Sequence, residues 1–127
     1  MANPNIVAVT SIYANTSTFL ISSTADPFAT ALVSNAASSG KVYKINSIVA
    51  ANVDGTSAAD ITIKIFSQAA LAGTGTAIAS TISIPPDASL IVTDKTTSFY
   101  LLEDRSIGAT ASAANDIVVT CSWEEIN

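Results

Sequence analysis

The sequence predicts an all-β protein, a single-domain antiparallel β-sandwich with a jelly-roll-like arrangement of strands. Three observations predict this fold class. Apolar and polar residues alternate with a period of two along most of the chain, which is typical of half-buried strands. Ile, Val and Thr fill these stretches, and turn residues such as Gly, Pro and Asp separate them. A length of 127 residues fits one domain, so we expect residues 1–127 to fold as one unit.

The alternating stretches give the expected strands in chain order. Eight or nine strands are expected among the candidate stretches 6–13, 18–22, 28–33, 41–53, 60–66, 77–84, 89–92, 99–102, 107–111 and 117–124. Residues 67–72 fit a helical turn. We expect residues 1–13 to provide an N-terminal arm or edge strand that pairs with a neighbouring molecule, because the open edge of a sheet accepts an added strand.

The stretch 41–53 carries two specific expectations. One concerns its buried face, which is expected to hold the odd-numbered residues Tyr43, Ile45, Val49, Ala51 and Val53. The other concerns its partner: the Asp54-Gly55 turn predicts a hairpin that joins 41–53 to 60–66. In the same way, Ile78, Ile82 and Ile84 are expected to share one face of the stretch 77–84.

Composition argues against most kinds of enzyme. The chain has no His and one Cys, which excludes a His-based triad, a His metal site and an intrachain disulfide. The Asp residues fall in expected turns with no calcium-loop spacing, and no nucleotide-binding motif is present. We therefore expect no catalytic residues, no metal and no cofactor, and a protein that is not an enzyme.

The charge balance bears on possible partners. With 5 basic against 10 acidic residues, the net charge is −5, which disfavours binding to nucleic acid. No apolar run is long enough for a membrane helix and no export signal is evident, so no membrane partner is expected. Charged residues are only 12% of the chain, whereas soluble domains average about 25%. A surface so poor in charge favours burial against other copies or another protein over a free monomer.

The densest charge cluster is the candidate interface. Glu103, Asp104 and Arg105, the last being the only Arg of the chain, are adjacent in an expected turn. They fit either an ion pair between subunits or a solvated turn with local pairing. Two other residues fit the core better than a site. Cys121 is in phase with the apolar face of the last strand, and Trp123 lies at the end of that face, where a binding platform is the alternative.

Several stretches from residue 42 onward carry a resemblance to a known group of proteins. They are KINSIVAAN (44–52) with the following Asp54-Gly55 turn, ITIKI (61–65), ISIPPDASL (82–90), LLEDRSI (101–107) and NDIVVTCSWE (115–124). The region that they span, residues 44–124, is about two-thirds of the chain. In these stretches the sequence resembles small virion structural proteins of tailed phages, particularly those of marine cyanophages.

The resemblance implies a β-sandwich module of a virion, assembled in the host cytoplasm, with no binding residues to carry over. We expect a capsid decoration (cement) protein, a homotrimer bound where major capsid proteins meet. The first alternative is a component of the neck, tail or a fibre. The second is a carbohydrate-binding or adhesion module, which predicts exposed aromatic side chains on one face.

Overall fold

The computed structural model describes residues 4–24 and 31–127, and they form an all-β fold. The strands are β1 (Ile12–Leu20), β2 (Ala31–Asn35), β3 (Val42–Asn52), β4 (Ala59–Phe66), β5 (Gly75–Ile84), β6 (Ser89–Thr93), β7 (Phe99–Leu101), β8 (Arg105–Ala111) and β9 (Ile117–Ile126). Two short 3-10 turns cover Ala69–Leu71 and Lys95–Thr97, and the first lies within the expected helical turn 67–72. Among these described residues, no helix is long and apolar enough to cross a membrane.

The strands form two packed antiparallel sheets, which confirms the predicted fold class. Sheet A has the order β1-β9-β3-β6, with β7 also paired to β3, and sheet B has the order β2-β8-β4-β5. The chain passes from one sheet to the other at each of the first three connections, from β1 to β4. Such alternation between two packed sheets, here of five and four strands, is the jelly-roll arrangement of an antiparallel sandwich.

The core lies between the two sheets and consists of small and β-branched side chains. Sheet A contributes Ile45, Ile48 and Val119, while sheet B contributes Ile61 and Ile107, all of them fully buried. β-branched side chains have few rotamers and pack well on a pleated surface, so this composition suits a sandwich interior. Burial of each such side chain contributes about 1.5–3 kcal/mol to the free energy of unfolding.

The expected hairpin between 41–53 and 60–66 is wrong. β3 pairs with β6, β7 and β9 in sheet A, whereas β4 pairs with β5 and β8 in sheet B. The connection through Asp54-Gly55 therefore carries the chain across the sandwich from one layer to the other. A turn sequence marks a reversal of the chain, but it does not determine whether the two strands meet edge to edge or across the core.

The expected buried face of β3 is correct only for Ile45, which is fully buried, and in part for Tyr43, which is half-buried against the core. Ile45 pairs with Trp123 and Ser47 with Ser122, so Asn46 is an extra residue in the ladder. This bulge shifts the phase of the strand by one residue. After it, Ile48, Ala50 and Asn52 are buried, while Val49 and Ala51 point outward and Val53 is exposed.

Register shifts also change which residues of β5 are buried. Ile84 is buried as expected, but Ile78 and Ile82 are 41% and 38% exposed. The ladder between β4 and β5 contains two register shifts, and Thr81 has a φ of 51° there. The single-face prediction for the three isoleucines is therefore wrong, because an irregular strand does not keep one alternation along its length.

The N-terminal region contains one edge strand where two stretches were expected. β1 runs from Ile12 to Leu20 and pairs with β9, so it joins the end of the stretch 6–13 to the start of 18–22. Residues 4–11 form no strand, and Thr10 and Ser11 donate backbone hydrogen bonds to the carbonyl of Asn127. The predicted arm 1–13 therefore shares only its last two residues with the edge strand, and 1–3 lie outside the described residues. The first part of the stretch 28–33 also lies outside them.

Candidate interaction surface

One face of the sandwich is uncharged over most of its area. It is the side of sheet A that points away from sheet B, and we call its central part the outer sheet-A face. Cross-strand partners place the residues of this face in three rows: Thr16, Ser122 and Ser47; Thr18, Thr120, Val49 and Ile91; and Leu20, Val118, Ala51 and Ser89. None of these side chains carries a charge.

The outer sheet-A face combines hydroxyl groups with exposed apolar side chains. Ile91 is 63% exposed and Leu20 is 53% exposed, so both aliphatic side chains meet solvent in the single chain. The next row toward one end contains Lys44 and its cross-strand partner Glu124, which mark the boundary of the uncharged area. Exposed aliphatic residues within one uncharged area are typical of a surface that another protein covers.

Sheet B presents a different outer face. In β4, the buried residues Ile61 and Ile63 alternate with Asp60, Thr62 and Lys64, so two charged residues lie on the outside of that sheet. Each sheet has three charged strand residues, but those of sheet A (Lys44, Glu124 and Glu125) lie together at one end, outside the outer sheet-A face, whereas Asp60 and Lys64 lie along β4. The outer sheet-A face is consequently the better candidate for a protein contact, because burying it requires no desolvation of a charged group.

This face does not emerge from the alternation of residues alone. That alternation predicts Val49 and Ala51 in the core, because the bulge at Asn46 is not visible in it. A signal was nevertheless present in the sequence. No charged residue occurs between residues 11 and 24 or between 117 and 123, the stretches that contribute β1 and most of β9.

The structure brings the predicted interface residues together with other parts of the same chain. The Glu103 side chain is only 2% exposed, and its Oε1 accepts a 3.0 Å hydrogen bond from the backbone N–H of Gly40. Asp104 has a φ of 55°, and its Oδ1 accepts a 2.9 Å bond from the N–H of Ala69.

Arg105 also makes local contacts. Its Nη1 donates 2.8 Å hydrogen bonds to the backbone carbonyls of Ser67 and Asp104. The side chain lines a shallow groove of about 320 Å³ together with Phe66 and Thr76. Asp104 and Arg105 thus anchor the segment after β4, whereas Glu103 anchors the loop before β3. Contact of the cluster 103–105 with another subunit stays a prediction.

Cys121 lies in the core, which confirms its predicted position. The side chain is fully buried, and burial raises the pKa of the thiol to about 12. A thiol with that pKa carries almost no thiolate near neutral pH, and the thiolate is the reactive form. Its contribution is therefore that of a small apolar side chain packed between the sheets.

Trp123 lies at the end of the core, as its phase in the sequence predicts. Its ring stacks on that of Tyr43, with centroids 6.4 Å apart. The ion pair of Lys41 with Glu125 lies beside them, and the hydrogen bond from Lys41 to that carboxylate raises the pKa of its ammonium group. Tyr13, 61% exposed, pairs with Glu125 across the ladder from β1 to β9. This aromatic corner is the part of the surface that suits a ligand able to stack on aromatic rings, such as the C–H face of a sugar.

Neither a metal centre nor a known relative helps to define the site. Among residues 4–24 and 31–127, no group of three His, Cys, Asp or Glu side chains lies close enough together to hold a metal ion. No protein-family model matches the chain, and no curated protein matches it significantly.

Proposed function

We propose that the protein is a virion structural protein of the capsid-decoration type. It acts by binding and not by catalysis, and it stabilises the head by covering the junctions between major capsid proteins. The protein is located in the assembled virion. The observation that carries this proposal is the uncharged outer sheet-A face, with the exposed side chains of Leu20 and Ile91.

The physical mechanism is linkage between binding and assembly. A protein that binds the assembled lattice more tightly than it binds loose subunits shifts the equilibrium toward the lattice. Burying about 800 Å² per partner is ordinary for a specific contact. Many copies on one shell then act together, even when each contact is weak.

Three further features support the proposal. Charged residues make up only 12% of the chain, so most of its exterior is suited to contact with protein. The jelly roll is a common fold of viral capsid proteins, although a fold alone does not assign a function. The stretches in 44–124 that resemble phage virion proteins include KINSIVAAN and NDIVVTCSWE, which contribute most of β3 and most of β9 in sheet A.

The first test is the copy number in purified particles, measured by quantitative mass spectrometry against the major capsid protein. Hundreds of copies per particle are expected for a decoration protein. Three, six or twelve copies would move the protein to the neck, tail or a fibre, which is the alternative within the virion. Absence from particles would overturn the virion role altogether.

The second test locates the contact on the protein. We expect Val49→Lys and Thr120→Lys, two substitutions on the outer sheet-A face, to reduce binding to particles about tenfold or more, because each buries an unpaired charge. Ser80→Lys, at an exposed position of β5, is the matched control and should bind like the wild type. Equal binding by all three variants would exclude this face as the contact.

The aromatic corner favours a second candidate function, binding of a carbohydrate. Stacking of sugar rings on Tyr43 and Trp123 would place Glu125 within reach as a hydrogen-bond acceptor. Trp123 is the only Trp of the chain, so its fluorescence reports on this corner alone. A saturable change on titration with oligosaccharides, lost in Tyr43→Ala, would favour this function. An unchanged spectrum would exclude it for the sugars tested.

A further inference from the structure

Within residues 4–24 and 31–127, the β1 edge of sheet A carries none of the features that normally block an added strand. β1 pairs with β9 in an unbroken register over nine residues, from Ile12 opposite Ile126 to Leu20 opposite Val118. It contains no charged residue and no Pro, and no residue of 4–24 or 31–127 pairs with its other side. Natural proteins normally interrupt such an edge, because its free N–H and C=O groups bind other strands.

The other edges of the sandwich are interrupted. β2 and β6 are five residues long, and each has a register shift in its ladder. β5 is longer, but it has two register shifts and is followed by Pro85 and Pro86. β7 has only three residues. β1 is therefore the one described edge that is both long and regular.

The sequence of β1 is complementary to itself in the antiparallel direction. When two copies of IYANTSTFL are aligned around Thr16, Ile12 faces Leu20 and Tyr13 faces Phe19. In the same alignment, Ala14 faces Thr18, and Asn15 faces Ser17. Aliphatic residues thus meet aliphatic ones, aromatic meet aromatic, and small or polar residues meet in the centre.

We propose that β1 is a self-association site, at which two copies of the chain pair their β1 strands around a two-fold axis at Thr16. A two-fold axis places the β1 strands of the two copies side by side in antiparallel orientation. A self-complementary strand then makes the same favourable contacts in both copies. The pair joins the two A sheets into one continuous sheet. Ile12, Tyr13 and Leu20, which are 54%, 61% and 53% exposed in the single chain, gain cross-strand neighbours.

The distribution of charge also favours a second copy of the chain as the partner of β1. Each chain has a net charge of −5, so two copies repel each other in most orientations. Pairing through β1 places the uncharged stretch 11–24 of one copy next to the same stretch of the other copy. The outer sheet-A faces of the two copies then lie side by side as one larger uncharged surface. The inference goes beyond the proposed function and does not depend on it, since it concerns only contact between copies.

Cysteine cross-linking tests both the partner and the register. In an antiparallel pair, opposite Cα atoms are about 4.5–5.5 Å apart, and a disulfide requires about 4.4–6.8 Å. Thr16→Cys should therefore form a disulfide-linked dimer under mild oxidation, whereas Thr18→Cys should not, because two residues 18 would lie about 14 Å apart along the strands. A mixture of Ala14→Cys and Thr18→Cys should cross-link again. Cys121 is fully buried in the wild-type fold, so we expect it to take no part in the cross-linking.

The oligomeric state provides the second measurement. Sedimentation equilibrium of the wild type should give twice the 12.9 kDa chain mass. Thr16→Lys, which puts two like charges together at the axis, should give the monomer with an unchanged circular dichroism spectrum. A wild-type monomer, a trimer as the sequence predicts, or equal cross-linking at residues 16 and 18 would overturn the pairing. None of these results depends on particle copy number, so failure of this inference is distinct from failure of the virion proposal.

Discussion

Asn35 and Asn52 occupy equivalent positions at the ends of two successive strands, and both side chains bind the backbone of the opposite sheet. Asn35 ends β2 in sheet B, and its Nδ2 donates a 3.2 Å hydrogen bond to the carbonyl of Leu101 in sheet A. Asn52 ends β3 in sheet A, and its Nδ2 donates a 2.9 Å bond to the carbonyl of Ile84 in sheet B. The two asparagines thus hold the sheets together where the chain crosses between them.

Replacing Asn52 should lower the free energy of unfolding substantially. The side chain is 2% exposed and makes three hydrogen bonds, to the carbonyls of Ser57 and Ile84 and from the N–H of Asp54. Asn52→Ala removes the buried bond to Ile84 and the two part-buried bonds, which costs about 2–4 kcal/mol. Urea denaturation measures the change. Asn46→Ala, at the half-buried bulge, is the matched control and should lose less than about 1 kcal/mol.

Deleting Asn46 should preserve the fold. Ile45 and Ser47 already face consecutive residues of β9, so removing the residue between them leaves a regular ladder with the same buried face. We expect a cooperative urea transition and a loss below about 2 kcal/mol. Deleting Val49 should instead move Ala50 and Asn52 to the opposite face and abolish the transition. Equal loss of folding in both variants would contradict this account of the bulge.

The burial of Cys121 should make stability depend on alkaline pH. Its folded pKa of about 12 lies above the ordinary value of 9.0, so the unfolded chain loses this proton first as pH rises. Between those values, each pH unit lowers the free energy of unfolding by up to about 1.4 kcal/mol. Other groups titrate in the same range, and Cys121→Ala isolates the effect. The stability advantage of the wild type over this variant should shrink by about 2 kcal/mol between pH 8 and pH 11. Parallel pH curves would contradict the prediction.

Removing the hydroxyl of Ser106 should loosen the segment after β4. Its Oγ is fully buried, accepts a 2.8 Å hydrogen bond from the N–H of Leu71 and donates a 2.7 Å bond to the carbonyl of Gln68. Ser106→Ala should cost about 1–3 kcal/mol and speed amide exchange at Leu71 about tenfold or more. Ser34→Ala is the control, because Ser34 is exposed and its Oγ accepts a 3.0 Å hydrogen bond from the N–H of Ala70 in the same segment. It should speed exchange at Ala70 and change stability by less than about 0.5 kcal/mol.

The candidate surface was only partly predictable from the sequence. The low charge of the chain was sufficient to predict a surface suited to contact with protein, and the phase of β9 correctly placed Cys121 in the core. The position of that surface depended on Val49 and Ala51, whose direction follows from a bulge that forms only against β9. The cluster Glu103 to Arg105 stood out by its charge, yet its contacts with Gly40, Ala69 and Ser67 join residues distant in the sequence.

The alternation of apolar and polar residues, by itself, determined that the chain is all-β and where most strands lie, because this period reflects the local geometry of a strand. Only the tertiary structure decided which strands are neighbours and which side of each strand is buried. The Asp54-Gly55 turn is compatible with a hairpin as well as with a crossing between sheets. The choice between them depends on the burial of both sheet faces in one core, a property of all the strands together and of no single stretch.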